Sequence, residues 1–131
     1  MDRGRHDLGL AVRKEVMGED YVARTIAGAG AFGADFQEMI NEHCWGNTWA
    51  RPGLGRAKRS LLNLGMLAAL GRMTEFETHF RGAITNGMSL EELKEALRQI
   101  AVYCGIPCGV ECHRAAKRVL DQLAAEKAGA S

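Results

Sequence analysis

The sequence predicts an all-α protein of about six to seven helices in one compact domain spanning residues 1–131. Three observations carry this reading. Apolar residues recur at three- and four-residue spacing from Leu8 to Leu123. No run of β-branched residues alternates with polar ones. Helix-start pairs and glycine stops punctuate the chain at short intervals. A chain of 131 residues fits one domain. At that length roughly two thirds of the unfolded surface is buried, so a core forms without cross-links.

Leu8, Val12 and Val16 mark the first amphipathic helix. Tyr21 to Ala29 predicts a second, with Val22 and Ile26 on one face, ending at the glycine-rich GAGAFG. Asp35 with Glu38 fits the start of a third, which carries Phe36, Met39, Ile40 and Cys44 and stops at Gly46. A loop GNTWARPG follows. Arg56 to Leu70 is so rich in Leu, Met and Ala that it predicts a helix buried on most sides, stopped by Gly71. That much apolar surface also points to a homo-oligomer.

Thr74 with Glu77, and Ser89 with Glu92, are two S/T-x-x-E capping boxes. They open helices that close at Asn86-Gly87 and at Gly105. The last helix is expected from about Gly109 to Ala125, after Pro107. Residues 1–6 and 126–131 are expected to fray.

The charge balance narrows the partners. Net charge is +1, from 17 basic and 16 acidic residues, so no basic excess exists to neutralise phosphates and nucleic acid is excluded. No apolar run approaches the ~18 residues of a membrane helix. The start MDRGRHDLG lacks an apolar signal core, which makes the cytoplasm the expected location.

Four cysteines, Cys44, Cys104, Cys108 and Cys112, are read as free thiols. Cys104, Cys108, Cys112 and His113 form C-x3-C-x3-C-H, which lacks the paired knuckles of a zinc site, so no metal is expected. The simplest arrangement packs Cys104 and Cys112 in the core and leaves Cys108 at a surface or interface. No C-x-x-C occurs. Cys108 near a helix start keeps a minority thiol-redox reading open. GAGAFG has glycine density but no preceding strand, and reads as a loop.

Two places can carry chemistry. Glu75 and His79 are four residues apart, on one helix face. The carboxylate can orient the imidazole as a general acid or base near neutral pH, or the two form an exposed ion pair. Both tryptophans of the chain, Trp45 and Trp49, flank Arg51-Pro52 within HCWGNTWARPG. Arg51 suits a carboxylate clamp in a dry pocket, with an interface salt bridge as the alternative. The tryptophans suit its wall, or plain core.

These segments carry a family resemblance nearly end to end, from about Asp7 to Leu123. FQEMINEHCWGNTWARPGL (36–54), RAKRSLLNLGMLAALGR (56–72), EFETHFRGAITNGMSLEE (75–92) and QIAVYCGIP (99–107) resemble the carboxymuconolactone decarboxylase family. The W-G-x-x-W-x-R-P-G-L element is the specific one. H-x-R-G-A-x-x-N-G is shared more loosely with the alkylhydroperoxidase D-like superfamily. The resemblance implies an all-α fold of that type and a ring-shaped homohexamer. It also implies decarboxylation of 4-carboxymuconolactone to the β-ketoadipate enol-lactone in aromatic catabolism, without a cofactor. His79 matches the family's histidine and is the expected proton donor. Arg51 is the expected anion clamp or dienolate stabiliser, and Glu75 orients His79. Trp45 and Trp49 wall the pocket. Arg59, Asn86 and Tyr103 are further motif positions with binding or structural roles, and Arg59 is expected to pair across an interface.

Departures define the alternatives. The redox members of the superfamily carry C-x-x-C ahead of the histidine, where this chain has Arg72 and Glu75. Cys108, Cys112 and His113 stand where the decarboxylases usually have small or apolar residues. Cys44 is likewise no essential part of the pattern. The alternatives are a decarboxylase or isomerase of another small carboxylated lactone, a thiol-dependent redox protein using Cys108 and Cys112, and a non-enzymatic oligomer.

Overall fold

The computed structural model describes residues 1–130. Among them are six α-helices, one π-helical segment and no strand: α1 (Arg3–Met17), α2 (Glu19–Met39), the π segment (Ile40–Trp49), α3 (Arg56–Leu70), α4 (Met73–Thr85), α5 (Leu90–Cys104) and α6 (Ile106–Ala130). The all-α reading is borne out. The chain gathers into two compact units, Met1–Arg59 and Ser60 onward.

In the first unit, α1 begins at an Asp2 cap whose carboxylate accepts from the Arg5 N–H at 3.0 Å. Its Val12, Val16 and Met17 pack with Val22, Trp45 and Trp49 into a core. The glycine-rich break is present, but as a kink. Gly30 adopts φ 59°, and helix resumes at once rather than waiting for Asp35. Asp35 therefore lies inside α2, not at a start.

Gly46 does not stop a helix either. It lies within the π segment, where Ala50 N–H donates to the Trp45 carbonyl five residues back at 2.9 Å. A Cβ on Gly46 would collide with the Arg5 carbonyl, and one on Gly9 with the Asn41 carbonyl and the Gly46 amide. These glycines let two backbones approach where any side chain would separate them. Beside them runs a buried polar string. Arg13 Nη1 donates to Asn41 Oδ1 at 2.8 Å, Asn41 Nδ2 donates to His6 Nε2 at 3.2 Å, and His6 Nδ1 donates to Asp7 at 2.9 Å.

In the second unit, α4 and α5 both pack on α6. Leu64, Phe76, Phe80, Leu93, Cys112 and Val119 are among its fully buried side chains. The Ser89–Glu92 box forms as expected, with bonds of 3.1 and 2.9 Å. The Thr74–Glu77 box does not. α4 starts at Met73, which puts Thr74 inside the first turn, and Glu77 turns to Arg118 at 3.1 Å. Gly71, Gly87 and Gly105 take positive φ after their helices, as the sequence predicts.

α3 matches its expected span but not its expected burial. Ser60, Leu64 and Ala68 are buried, while Leu61, Leu62, Met66 and Leu70 are exposed in the single chain. α6 starts three residues earlier than predicted, because proline fits a first helical turn, where its missing N–H is not needed. It continues to Ala130, past the expected fraying. Arg81 grips Glu126 with two bonds of 2.9 and 3.0 Å, tying that end down. Residues 3–6 are likewise helical. The expectation for Ser131 lies outside the described residues.

Candidate active site

In the first unit the chain leaves the π segment at Ala50 and reaches α3 through residues 51–55. Arg51 N–H donates to Thr48 O at 3.1 Å. Arg59 then reaches back and clasps the loop, Nε to the Leu54 carbonyl at 3.1 Å and Nη2 to the Arg51 carbonyl at 3.3 Å. Arg59 thus holds its own loop. Pro52 restricts the backbone between those two anchors.

The loop closes over α1 to leave a pocket of about 310 Å³, lined by Leu8, Val12, Trp49, Ala50, Arg51, Pro52, Leu54, Gly55 and Arg56. That size suits a small organic molecule. The two tryptophan rings stack at 4.8 Å between centroids. Their roles divide. Trp49 is part of the wall, and Trp45, 4% exposed, lies behind it in the core. Arg51 is exposed at the pocket rim. Arg56 also lines it and donates to Glu15 at 2.7 Å.

In the second unit His79 and Glu75 sit one turn apart on α4, as spacing predicts. Glu75 gives its carboxylate to Arg72 at 3.1 Å, and acts on His79 through charge. Its own backbone N–H and Arg72 hold it below the usual carboxylate range. Burial pushes the half-buried His79 imidazole below its ordinary range, against the pull of Glu75. His79 is therefore mainly neutral at pH 7. Asn86 Nδ2 donates to the fully buried Ser60 hydroxyl at 2.9 Å, so Asn86 secures the end of α4 to α3. Tyr103 is 80% exposed on this chain. Arg51 and His79 belong to different units.

The thiols differ from expectation. Cys112 is buried as predicted, and burial with Cys108 beside it pushes its pKa up to about 12. Cys104 is exposed, not core, because α5 ends there and its last turn faces outward. Cys108 is pushed up by burial, and its S–H donates to the Ala68 carbonyl at 3.3 Å. Its place near the start of α6 does not activate it, which removes the main physical support for redox chemistry there. His113 Nδ1 bonds the Gly109 carbonyl at 2.8 Å. Among the described residues, no three His, Cys, Asp or Glu side chains converge as a metal-ligand set.

With this geometry in hand, comparison with known proteins identifies the class. The family model described as "Carboxymuconolactone decarboxylase family" matches residues 34–118, and the chain belongs to that family. It is 39% identical to a 4-carboxymuconolactone decarboxylase of Acinetobacter baylyi, over 93% of this chain and 91% of that protein. It is also 39% identical to a nitrosuccinic acid decarboxylase of Metarhizium robertsii, over 94% of this chain and 86% of that one. Both near-full-length relatives are decarboxylases. Among the described residues, no helix is long and apolar enough to cross a membrane.

Sequence reasoning missed Leu8, Val12 and Arg56 as pocket residues. Leu8 and Val12 were visible as an i, i+4 pair, but that spacing signals any buried face. Arg56 carried no signal beyond opening α3.

Proposed function

We propose that the protein is a cofactor-free carboxy-lyase that converts 4-carboxymuconolactone to the β-ketoadipate enol-lactone. The observation that carries this reading is Arg51 on the rim of an apolar pocket walled by Trp49. A guanidinium beside a low-dielectric wall suits developing negative charge on a small ring.

The substrate supplies its own electron sink. As the bond to the departing carboxylate breaks, its electron pair moves through the ring double bond to the lactone carbonyl oxygen. CO2 leaves, and a dienolate remains. Arg51 stabilises that oxyanion, which exists only after the ground state, so the interaction lowers the barrier rather than merely tightening binding. The family resemblance gives the proton to His79: its imidazolium form, which Glu75 favours against burial, protonates the carbon beside the carbonyl, and the neutral imidazole left behind takes its next proton from solvent. Trp49 excludes water, backed by Trp45. Arg59 and Asn86 hold the loop and helix that present these groups. Tyr103, exposed on the single chain, and the apolar row Leu61, Leu62, Met66 and Leu70 support burial against further copies, and a homohexamer in the cytoplasm is the assembly we assign.

A second reading keeps the machinery and changes the substrate. Equal identity to a nitrosuccinic acid decarboxylase favours a small acid whose nitro group is the sink.

The test is turnover of freshly generated 4-carboxymuconolactone, with nitrosuccinate in parallel, by wild type and by His79→Gln and Arg51→Gln. The expected loss in kcat is about 10²–10⁴ for His79→Gln and about 10²–10³ for Arg51→Gln. Full turnover by a folded His79→Gln protein removes the proton-donor role, and preference for nitrosuccinate moves the assignment to the second reading.

A further inference from the structure

The pocket of the first unit has a second cation that the scheme above leaves unused. Arg51 and Arg56 both line it, against Leu8, Val12, Trp49 and Leu54. Leu8, Val12 and Glu15 follow i, i+4, i+7 spacing on α1, so Glu15 continues the stripe that forms the pocket's helical wall. Its carboxylate takes a bond from Arg56 at 2.7 Å. Neither partner is buried, at 40% and 59% side-chain exposure, so this pair is weakly held and exchanges readily.

Two guanidinium groups call for two anionic centres. Resting on the decarboxylase reading, the chemistry supplies them. Nitrosuccinic acid has two carboxyl groups. A muconolactone has one left after ring closure, and its 4-carboxy derivative has two. Only one departs. A guanidinium gripping the departing carboxylate would stabilise the ground state and raise the barrier. The carboxylate that stays keeps its charge throughout, so binding it costs the chemical step nothing. Glu15 already marks where a carboxylate oxygen rests against Arg56.

We propose that Arg56 receives the carboxylate the substrate retains, and that Glu15 is the resident counter-ion which this carboxylate displaces. Arg56 then selects diacids over monoacids, while Arg51 faces the charge that develops during reaction.

The experiment is titration calorimetry with two unreactive probes. One is 4-carboxymuconolactone with its ring double bond reduced and both carboxylates intact. The other is the same compound with the retained carboxylate as a primary amide. Wild type is expected to prefer the diacid by about fivefold, the scale of a partly exposed charged pair. Arg56→Gln is expected to erase that preference while leaving affinity for the amide unchanged. Glu15→Gln is expected to tighten diacid binding by about threefold and to leave the amide alone.

An intact preference in folded Arg56→Gln, or equal loss for both probes, overturns the subsite. Unchanged diacid affinity in Glu15→Gln overturns the displacement, independently of how Arg56→Gln folds. Wild type that binds in this pattern but turns over neither acid retains the subsite and loses the reaction. Turnover without any Arg56 dependence does the reverse.

Discussion

In the first unit, Trp49 and Arg51 are presented by backbone that leaves the α-helical register. In the second, His79 and Glu75 sit one turn apart on an ordinary α-helix. The first arrangement exists because α1 and the π segment touch through Gly9 and Gly46, with Arg13, Asn41 and His6 satisfied alongside. The second arises from local rules: a capping box on α5, glycine stops, and exposed ion pairs such as Arg72–Glu75. Chemistry carried by a regular helix tolerates small changes around it. Chemistry carried by a close backbone contact does not, because a single methyl group has nowhere to go.

Gly9→Ala breaks the comparison hardest. The added Cβ meets backbone atoms of Asn41 and Gly46 rather than a flexible side chain. The expected loss is about 3 kcal/mol or more, with a changed near-ultraviolet signal from the stacked tryptophans. Chemical denaturation measures it. A loss under about 1 kcal/mol would mean that α1 and the π segment separate easily, and the contrast between units would fall.

Ser89→Ala probes the other unit. It removes one bond of the box on α5, with an expected cost of about 1 kcal/mol and an unaltered tryptophan signal. A cost as large as that of Gly9→Ala would show that the cap serves more than its own helix.

The smallest effect is a pH dependence. Burial lowers the folded pKa of His79 below the ordinary 6.5. The unfolded chain therefore takes up the proton first as pH falls. Stability from this group is complete above the unfolded value and declines as pH drops from there toward the folded pKa. Urea midpoints at pH 7.5 and 5.5 should fall further for wild type than for His79→Gln. Equal slopes would remove burial of His79 as their cause.

Much of the fold was legible. The spans of α3 and α5, the box at Ser89 and the stops at Gly71, Gly87 and Gly105 follow from residue type and spacing, since capping and positive φ are properties of a few neighbouring residues. The pair His79 and Glu75 was legible for the same reason. Gly46 was misread as a stop, because close approach and chain termination ask for the same residue. Thr74–Glu77 had the letters of a box, yet Glu77 found Arg118 across the unit.

The sequence by itself therefore determined the all-α class, the spans of α3 and α5, the glycine stops after them and the family, all of which depend on local spacing or on shared motifs. Only the tertiary structure decided that Trp45 backs Trp49 instead of sharing the pocket wall, that Arg59 clasps its own loop, and that Arg56 with Glu15 borders the pocket. The outcomes for Arg59 and Arg56 rest on contacts between residues five to about forty positions apart. No periodicity encodes such contacts, because they form only when packed helices bring distant stretches of chain within bonding distance.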